Sequence, residues 1–333
     1  MIRRIALLCL ALALPAFGQT TLNGAGATFP NPIYQKWFSE YHKAHPDIQF
    51  NYQSIGSGGG IRQVLAQTVD FGASDGPMSD DQLSQAKVKL LHIPTVLGAV
   101  VPAYNVGGVN QELRFSPQTI AGICLGKITS WDDKSIAKDN PGVKLPGKTI
   151  IVVHRSDGSG TNYIFTDYLS KVSSEWKDSV GKGTSVKWPV GLGAKGNEGV
   201  AGMIRQMDGA FGYVELIYAV QNNIPYGSVQ NAAGTWLKGS LEGATAAAAS
   251  VKSMPADFRV SITNAPGKDA YPISSFTWLL IPTQSKDAGR GKILTDFLNW
   301  MLDSGEKMTT ELAYAPLPDN VAAKVRDAIK QVR

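Results

Sequence analysis

Cysteine is almost missing from this chain: Cys9 and Cys124 are the two in 333 residues. No internal disulfide can staple the fold, because Cys9 lies in an apolar leader described below and Cys124 then stands alone. The core must therefore carry stability by burial. Histidine is scarce too, with only His42, His45, His92 and His154. His42 and His45 alone are close in sequence, on what reads as an exposed helix end, and this does not make a metal-ligand set. Phosphate-loop spacing is missing as well. GICLGKI (Gly122 to Ile128) is one residue short and lacks the hydroxyl. Neither Ser57 in GSGGG nor Ser159 in GSGT fits a nucleophile elbow. Charge is sparse at 18% of residues. The formal net charge is +5, but Arg3 and Arg4 belong to the leader. Without them 30 basic residues face 27 acidic ones, a surplus too small to call for nucleic acid or an anionic membrane as partner.

Long apolar runs are confined to one place. Met1-Ile2-Arg3-Arg4 is a short positive region, and Ile5 to Phe17 (IALLCLALALPAF) is an apolar stretch. It falls short of the ~20 residues that span a bilayer. Small residues follow near Ala16 and Gly18, so residues 1–18 read as a secretory signal. No cysteine sits at the cleavage position, which argues against a lipid anchor.

What the chain has is glycine, 35 residues, and an alternation of short β-rich runs with helical patterns. Leu22 to Ala25, Ile48 to Ser54, Phe71 to Ser74, Ile93 to Tyr104 and Thr149 to Val153 read as strands. Tyr34, Trp37, Phe38 and Tyr41 repeat on one face of a helix beginning near Pro30. A second helix carries Ile61, Val64 and Leu65, and a third carries Tyr163, Phe165, Tyr168 and Leu169. Leu241 to Ser250 is an alanine-rich helix. Val321, Val325, Ile329 and Val332 form a core-facing stripe on a terminal one. The alternation predicts an α/β fold with mostly parallel strands. Ser54 to Asp75 and Gly191 to Glu215 also share a pattern: a Gly-rich loop, a helix with Ile-Arg-Gln, then a strand with Phe-Gly. Two similar lobes, or chance likeness between βα units, would each produce it.

Three Gly/Ser/Thr-rich loops precede helices: Gly24 to Pro30, Gly56 to Gly60 and Arg155 to Thr161. Helix N-termini present free N–H groups and partial positive charge, so each loop is a candidate oxyanion cradle. Glycine and serine are also ordinary turn and cap residues. Arg155 closes a strand, where α/β sheets place ligands, and its fork can grip two oxygens of one anion. Asp157 either orients Arg155 or caps the next helix. Asp75 by spacing alone reads as a turn residue before Gly76-Pro77, since a carboxylate beside an anion repels it unless the anion brings a proton.

These segments resemble the PstS family, the periplasmic phosphate-binding proteins of bacterial ABC importers. The likeness runs from about Thr21 to the C-terminus through GAGATFPNPIY, IGSGGG, TVDFGASD, LGKITSWDD, RSDGSGTNYIFT, WPVGLGAKGNEGVAG and YAPLPD. It implies an α/β, two-lobe binding protein of the type II-like kind, with a hinge and a ligand cleft between the lobes. Residues 19–103 and 276–333 would form lobe I, and residues 104–275 lobe II. The resemblance implies that Thr28, Phe29, Ser57, Asp75, Arg155, Ser159, Gly160 and Thr161 hold inorganic phosphate, with Asp157 orienting Arg155 and Asp75 accepting the ligand's proton. It further implies a periplasmic monomer that uses no cofactor or metal, catalyses no reaction and delivers phosphate to a permease with its ATPase. Two departures stand out. His154 replaces a frequent arginine, which points to an effect at the cleft rim or on pH response. Gly58 replaces a frequent serine, which points to a lost peripheral hydroxyl. Other tetrahedral oxyanions such as arsenate or sulfate, and a phosphatase on the same fold, are the competing readings.

Overall fold

The computed structural model describes residues 19–333; the expected signal at 1–18 lies outside the described residues. The strands are β1 (Thr20–Gly26), β2 (Ile48–Ser54), β3 (Phe71–Ser74), β4 (Leu90–Asn105), β5 (Arg114–Phe115), β6 (Ile151–Arg155), β7 (Leu192–Ala194), β8 (Ala210–Glu215), β9 (Ser228–Gln230), β10 (Trp236–Leu237) and β11 (Ser274–Pro282). One mixed sheet among these residues has the order β2-β1-β3-β11-β4-β8-β6-β7, and a small sheet has the order β10-β9-β5.

The expected parallel pairing holds at both ends of the large sheet and fails in its middle. β1 lies parallel to β2 and β3, and β6 lies parallel to β7 and β8. Each of these pairs is joined by a helical crossover, as parallel pairing requires. β11 instead runs antiparallel to β3 and β4, and β4 antiparallel to β8. β4 is 16 residues long, and only its last residue escapes burial. Its apolar run lets it serve both ends of the sheet: it pairs with β11 up to Ala99 and with β8 from Val100 onward.

The Asn31–Ala44 helix buries Ile33, Tyr34, Trp37, Phe38 and Tyr41, the face its periodicity predicted. Phe38 stacks on Phe50 at 4.9 Å and reaches Phe71 and Phe297. Each such side chain contributes about 1.5–3 kcal/mol by burial. Ile61 and Val64 press the Ser57–Leu65 helix onto Ala25 and Leu280. These contacts fix where the two helices begin, and therefore where their free N–H groups point. The terminal helix spans Asp319–Ile329, with Val321, Val325 and Ile329 buried as expected. β6 begins two residues later than the TIIVV run suggested. The Ile150 N–H bonds to Thr129 O and Thr149 bridges Ser130, so these residues serve a neighbouring loop. Arg155 is nonetheless the last residue of its strand.

Candidate functional site

Arg155 emerges from β6 into the interior and is 4% exposed. Its Nε and Nη2 donate to the two carboxylate oxygens of Asp157 at 2.8 and 2.6 Å. Asp157 Oδ1 also accepts the Gly196 N–H at 3.1 Å. Burial acts to raise the Asp157 carboxyl, but the Arg155 bonds and charge outweigh it and hold it below the usual range. Of the two alternatives for Asp157, it pairs with Arg155 and does not cap the next helix. The cap of the Gly160–Val172 helix is Ser159, whose Oγ accepts the Asn162 N–H at 3.0 Å. The fork is fixed on one side only. Nη1 of Arg155 is buried without a hydrogen-bond partner among the described residues. A buried guanidinium N–H left unpaired costs ~1–3 kcal/mol or more, so an acceptor is called for there.

Asp75 follows β3 in a bend, as its spacing suggested, but is 1% exposed, so its carboxyl faces the interior and not solvent. Thr277 Oγ1 donates to Asp75 Oδ1 at 2.8 Å. The Asp75 N–H donates to Ser57 Oγ at 3.2 Å, and that hydroxyl lies 3.5 Å from Asp75 Oδ2. Burial pushes the Asp75 carboxyl up to about 7, against the pull of the Thr277 bond and the Arg155 charge. Near neutral pH this group can therefore hold or release a proton.

The three loops meet. A Cβ on Gly160 would fall 2.5 Å from both Asp75 Oδ2 and Ser57 Oγ. Only glycine lets the third loop approach the second loop and the turn after β3 this closely. Asn197, at the start of the Gly196–Gln206 helix, donates through Nδ2 to Thr28 Oγ1 at 2.8 Å and to Thr161 Oγ1 at 3.0 Å. Thr28, Phe29, Ser57, Asp75, Arg155, Ser159 and Thr161 are all buried, and Gly160 with them. The sequence-predicted site residues therefore gather in one region, at the ends of β3 and β6 and around four helix beginnings, where backbone N–H groups lack partners within their own helix. Such a place suits an anion rich in oxygen, with one cationic fork and one acid that can exchange a proton.

Three residues that line or brace this region escaped the sequence reading: Asn197, Thr277 and Tyr218. Tyr218 donates to Thr28 O at 2.5 Å. The internal echo held the signal for Asn197, since Gly196-Asn197 stands in the second unit where Gly56-Ser57 stands in the first. Thr277 and Tyr218 carry no local signal.

The structure places both departures. His154 is half-buried. Alternation along β6 sends it away from Arg155, and its ring stacks on Trp188 at 4.8 Å. Burial lowers its pKa against the pull of the Arg155 carbonyl, which favours the neutral ring. Gly58 makes a backbone contact besides lacking a hydroxyl. Its N–H donates to Gly158 O at 2.8 Å, and a Cβ there would sit 3.1 Å from Gly158 Cα. The position is a backbone contact between the loops.

The fold and the site's geometry define a class, the PBP superfamily, whose family model matches residues 13–305. Within that class the chain belongs to the family of PstS phosphate-binding proteins. It is 47% identical over 306 residues to phosphate-binding protein PstS of Xylella fastidiosa (strain Temecula1), covering 91% of this chain and 83% of the relative. It is 45% identical over 324 residues to the PstS of Pasteurella multocida, covering 97% and 93%. Among solved structures, a high affinity periplasmic phosphate-binding protein bound with phosphate superposes with a TM-score of 0.74. The match covers 92% of this chain and 93% of that one at 22% identity, a likeness of fold.

Proposed function

We infer that the protein binds inorganic phosphate in the periplasm and delivers it to an ABC-type import permease and its ATPase. One observation carries the reading: Arg155 is buried, clamped by Asp157 on one side and unpaired at Nη1, beside a carboxyl poised near pH 7. Hydrogen phosphate matches that pair. Its oxygens accept from Nη1, the Ser57, Ser159 and Thr161 hydroxyls and the N–H groups of Phe29, Gly160 and Thr161. Its P–OH donates to Asp75. Sulfate at neutral pH has no proton to give and sets a lone pair against Asp75. A buried mismatch of this kind can discriminate by ~10⁴. The names of the PstS relatives support the choice of phosphate.

Residues 19–103 and 276–333 form lobe I in this reading, and residues 104–275 form lobe II. The change of partner along β4 at Ala99 and Val100 supports a hinge close to that division. Residues 1–18 export the chain, which works as a monomer and performs no covalent chemistry. No helix among the described residues is long and apolar enough to cross a membrane. Titration calorimetry of the purified, phosphate-stripped protein against phosphate and sulfate tests the reading. Strong phosphate binding with sulfate weaker by orders of magnitude supports it. Equal affinities, or no binding of either ion, overturn it.

A further inference from the structure

Tyr218 sits on the Leu216–Gln221 helix, in the segment assigned to lobe II, yet its hydroxyl bonds to the other lobe. It donates to the carbonyl of Thr28 at 2.5 Å. The ring is buried, and the helix beneath it is anchored by Glu215, whose Oε2 accepts the Ile217 N–H at 2.9 Å. A second acceptor stands nearby on Tyr218's own lobe, Glu198 Oε1 at 3.2 Å. The phenol has one proton, and the shorter contact takes it.

The Thr28 carbonyl and the Phe29 N–H belong to one planar peptide unit and point in opposite directions. Pinning the oxygen fixes where the N–H aims. The Asn31 N–H also reaches Thr28 O, at 3.2 Å, but from within the same loop. Among the described residues, the Tyr218 bond alone ties this peptide to the opposite lobe. Asn197 grips the Thr28 side chain from that lobe and leaves the peptide plane free.

We propose that Tyr218 is a positioning residue for phosphate: its hydroxyl switches from Glu198 to Thr28 O as the lobes meet, and thereby aims the Phe29 N–H at the anion. This rests on the phosphate-binding, lobe-closing function inferred above. The open protein keeps an acceptor for the hydroxyl, so the bond belongs to the closed state alone. Loss of the hydroxyl then acts on ligand release and spares both the fold and the first encounter.

The test is Tyr218→Phe against parent protein, followed by stopped-flow phosphate association and dissociation and by thermal melts with and without phosphate. The expected result is a dissociation rate raised about tenfold, corresponding to about 1.4 kcal/mol. Association should stay within about twofold, since affinity differences within one interface fall mainly on dissociation. The ligand-free melting temperature should be unchanged while the liganded one falls. An unchanged dissociation rate overturns the proposal. So does a ligand-free melt lowered as much as the liganded one, or a variant that does not fold, because either gives the hydroxyl a merely structural role. If the parent itself fails to bind phosphate, the functional inference falls instead, which keeps the two failures apart.

Discussion

The strand order β2-β1-β3 at one end of the large sheet returns as β7-β6-β8 at the other. In each unit the first strand lies between the second and third, and a helix leads from each strand toward the next. Matched positions nevertheless do different work. β1 closes on Gly26, while β6 closes on Arg155, so one unit brings the cation and the other brings none. Both third strands carry Phe-Gly and are followed or ended by an acid, Asp75 after β3 and Glu215 in β8. Asp75 turns toward the loops and meets Ser57. Glu215, one methylene longer, folds back to cap its own helix, is held well above the usual carboxylate range by burial, and keeps Oε1 unpartnered. A doubled frame thus supplies paired helix N-termini, and divergence at single positions leaves a buried arginine in one unit and a buried aspartate in the other.

The largest effect should come from removing the unmatched cation. Arg155→Ala takes the fork away and strands Asp157 as a buried carboxylate. Breaking such a pair costs ~3–5 kcal/mol, so phosphate affinity should fall by at least about a hundredfold. Calorimetry checks this, and near-parental affinity would dissolve the division of labour between the units.

The two matched acids sharpen it further. Asp75→Asn gives the site a donor where an acceptor stood, so phosphate-over-sulfate selectivity should collapse by ~100-fold or more. Glu215→Gln, the corresponding change in the other unit, should leave selectivity as it was, because that side chain faces its own helix. Paired titrations with both anions decide. Equal effects from the two variants would mean that the carboxyls share one role.

A smaller, pH-linked effect separates buried acids from exposed ones. Burial pushes Asp75 up to about 7 and Glu306 up to about 8. Unfolded carboxyls lose their protons near pH ~4, whereas these two hold theirs until about 7 and about 8 in the folded chain. Across that window the folded state binds more protons, so ligand-free stability falls as pH rises and levels off above it. Below it both states are protonated and the stabilisation is complete. Denaturant melts of the parent against Glu306→Gln should show a flatter profile in the variant. A parent profile that rises across the window would contradict the assignment of Glu306.

Local pattern made much of this legible. β2 and β3 fall on the residues their composition marked, and the aromatic face of the Asn31–Ala44 helix is the buried one. Arg155 and the hydroxyl loops stand where strand ends and helix starts must put them. What stayed hidden depends on partners far along the chain. Asp75 looks like a turn residue until Thr277, some two hundred residues on, donates to it. Asn197 acquires its place only when Thr28 and Thr161 are brought to it. The antiparallel centre of the sheet follows from β11, whose apolar residues say that it is buried and nothing about its direction.

The finest test lies where the units touch through bare backbone. Gly58 and Gly158 face each other with a hydrogen bond from Gly58 N–H to Gly158 O, and a Cβ on either residue would lie 3.1 Å from the other's Cα. That separation is a few tenths of an ångström too tight for comfort, and backbone on the far side yields less easily than a side-chain tip. Gly58→Ser restores the residue frequent in the family pattern but must push the loops apart. In the hinged reading proposed above the loops part when no ligand is bound, so the ligand-free melt should be unaffected. Phosphate affinity should drop by about three- to tenfold, corresponding to ~1 kcal/mol of strain in the closed form. Unchanged affinity would mean that the serine finds room, for instance toward Arg62 Nη1, which lies 3.5 Å from the same Cβ position. The two loops would then meet with more slack than their glycines imply, and the close approach would set neither affinity nor register between the units.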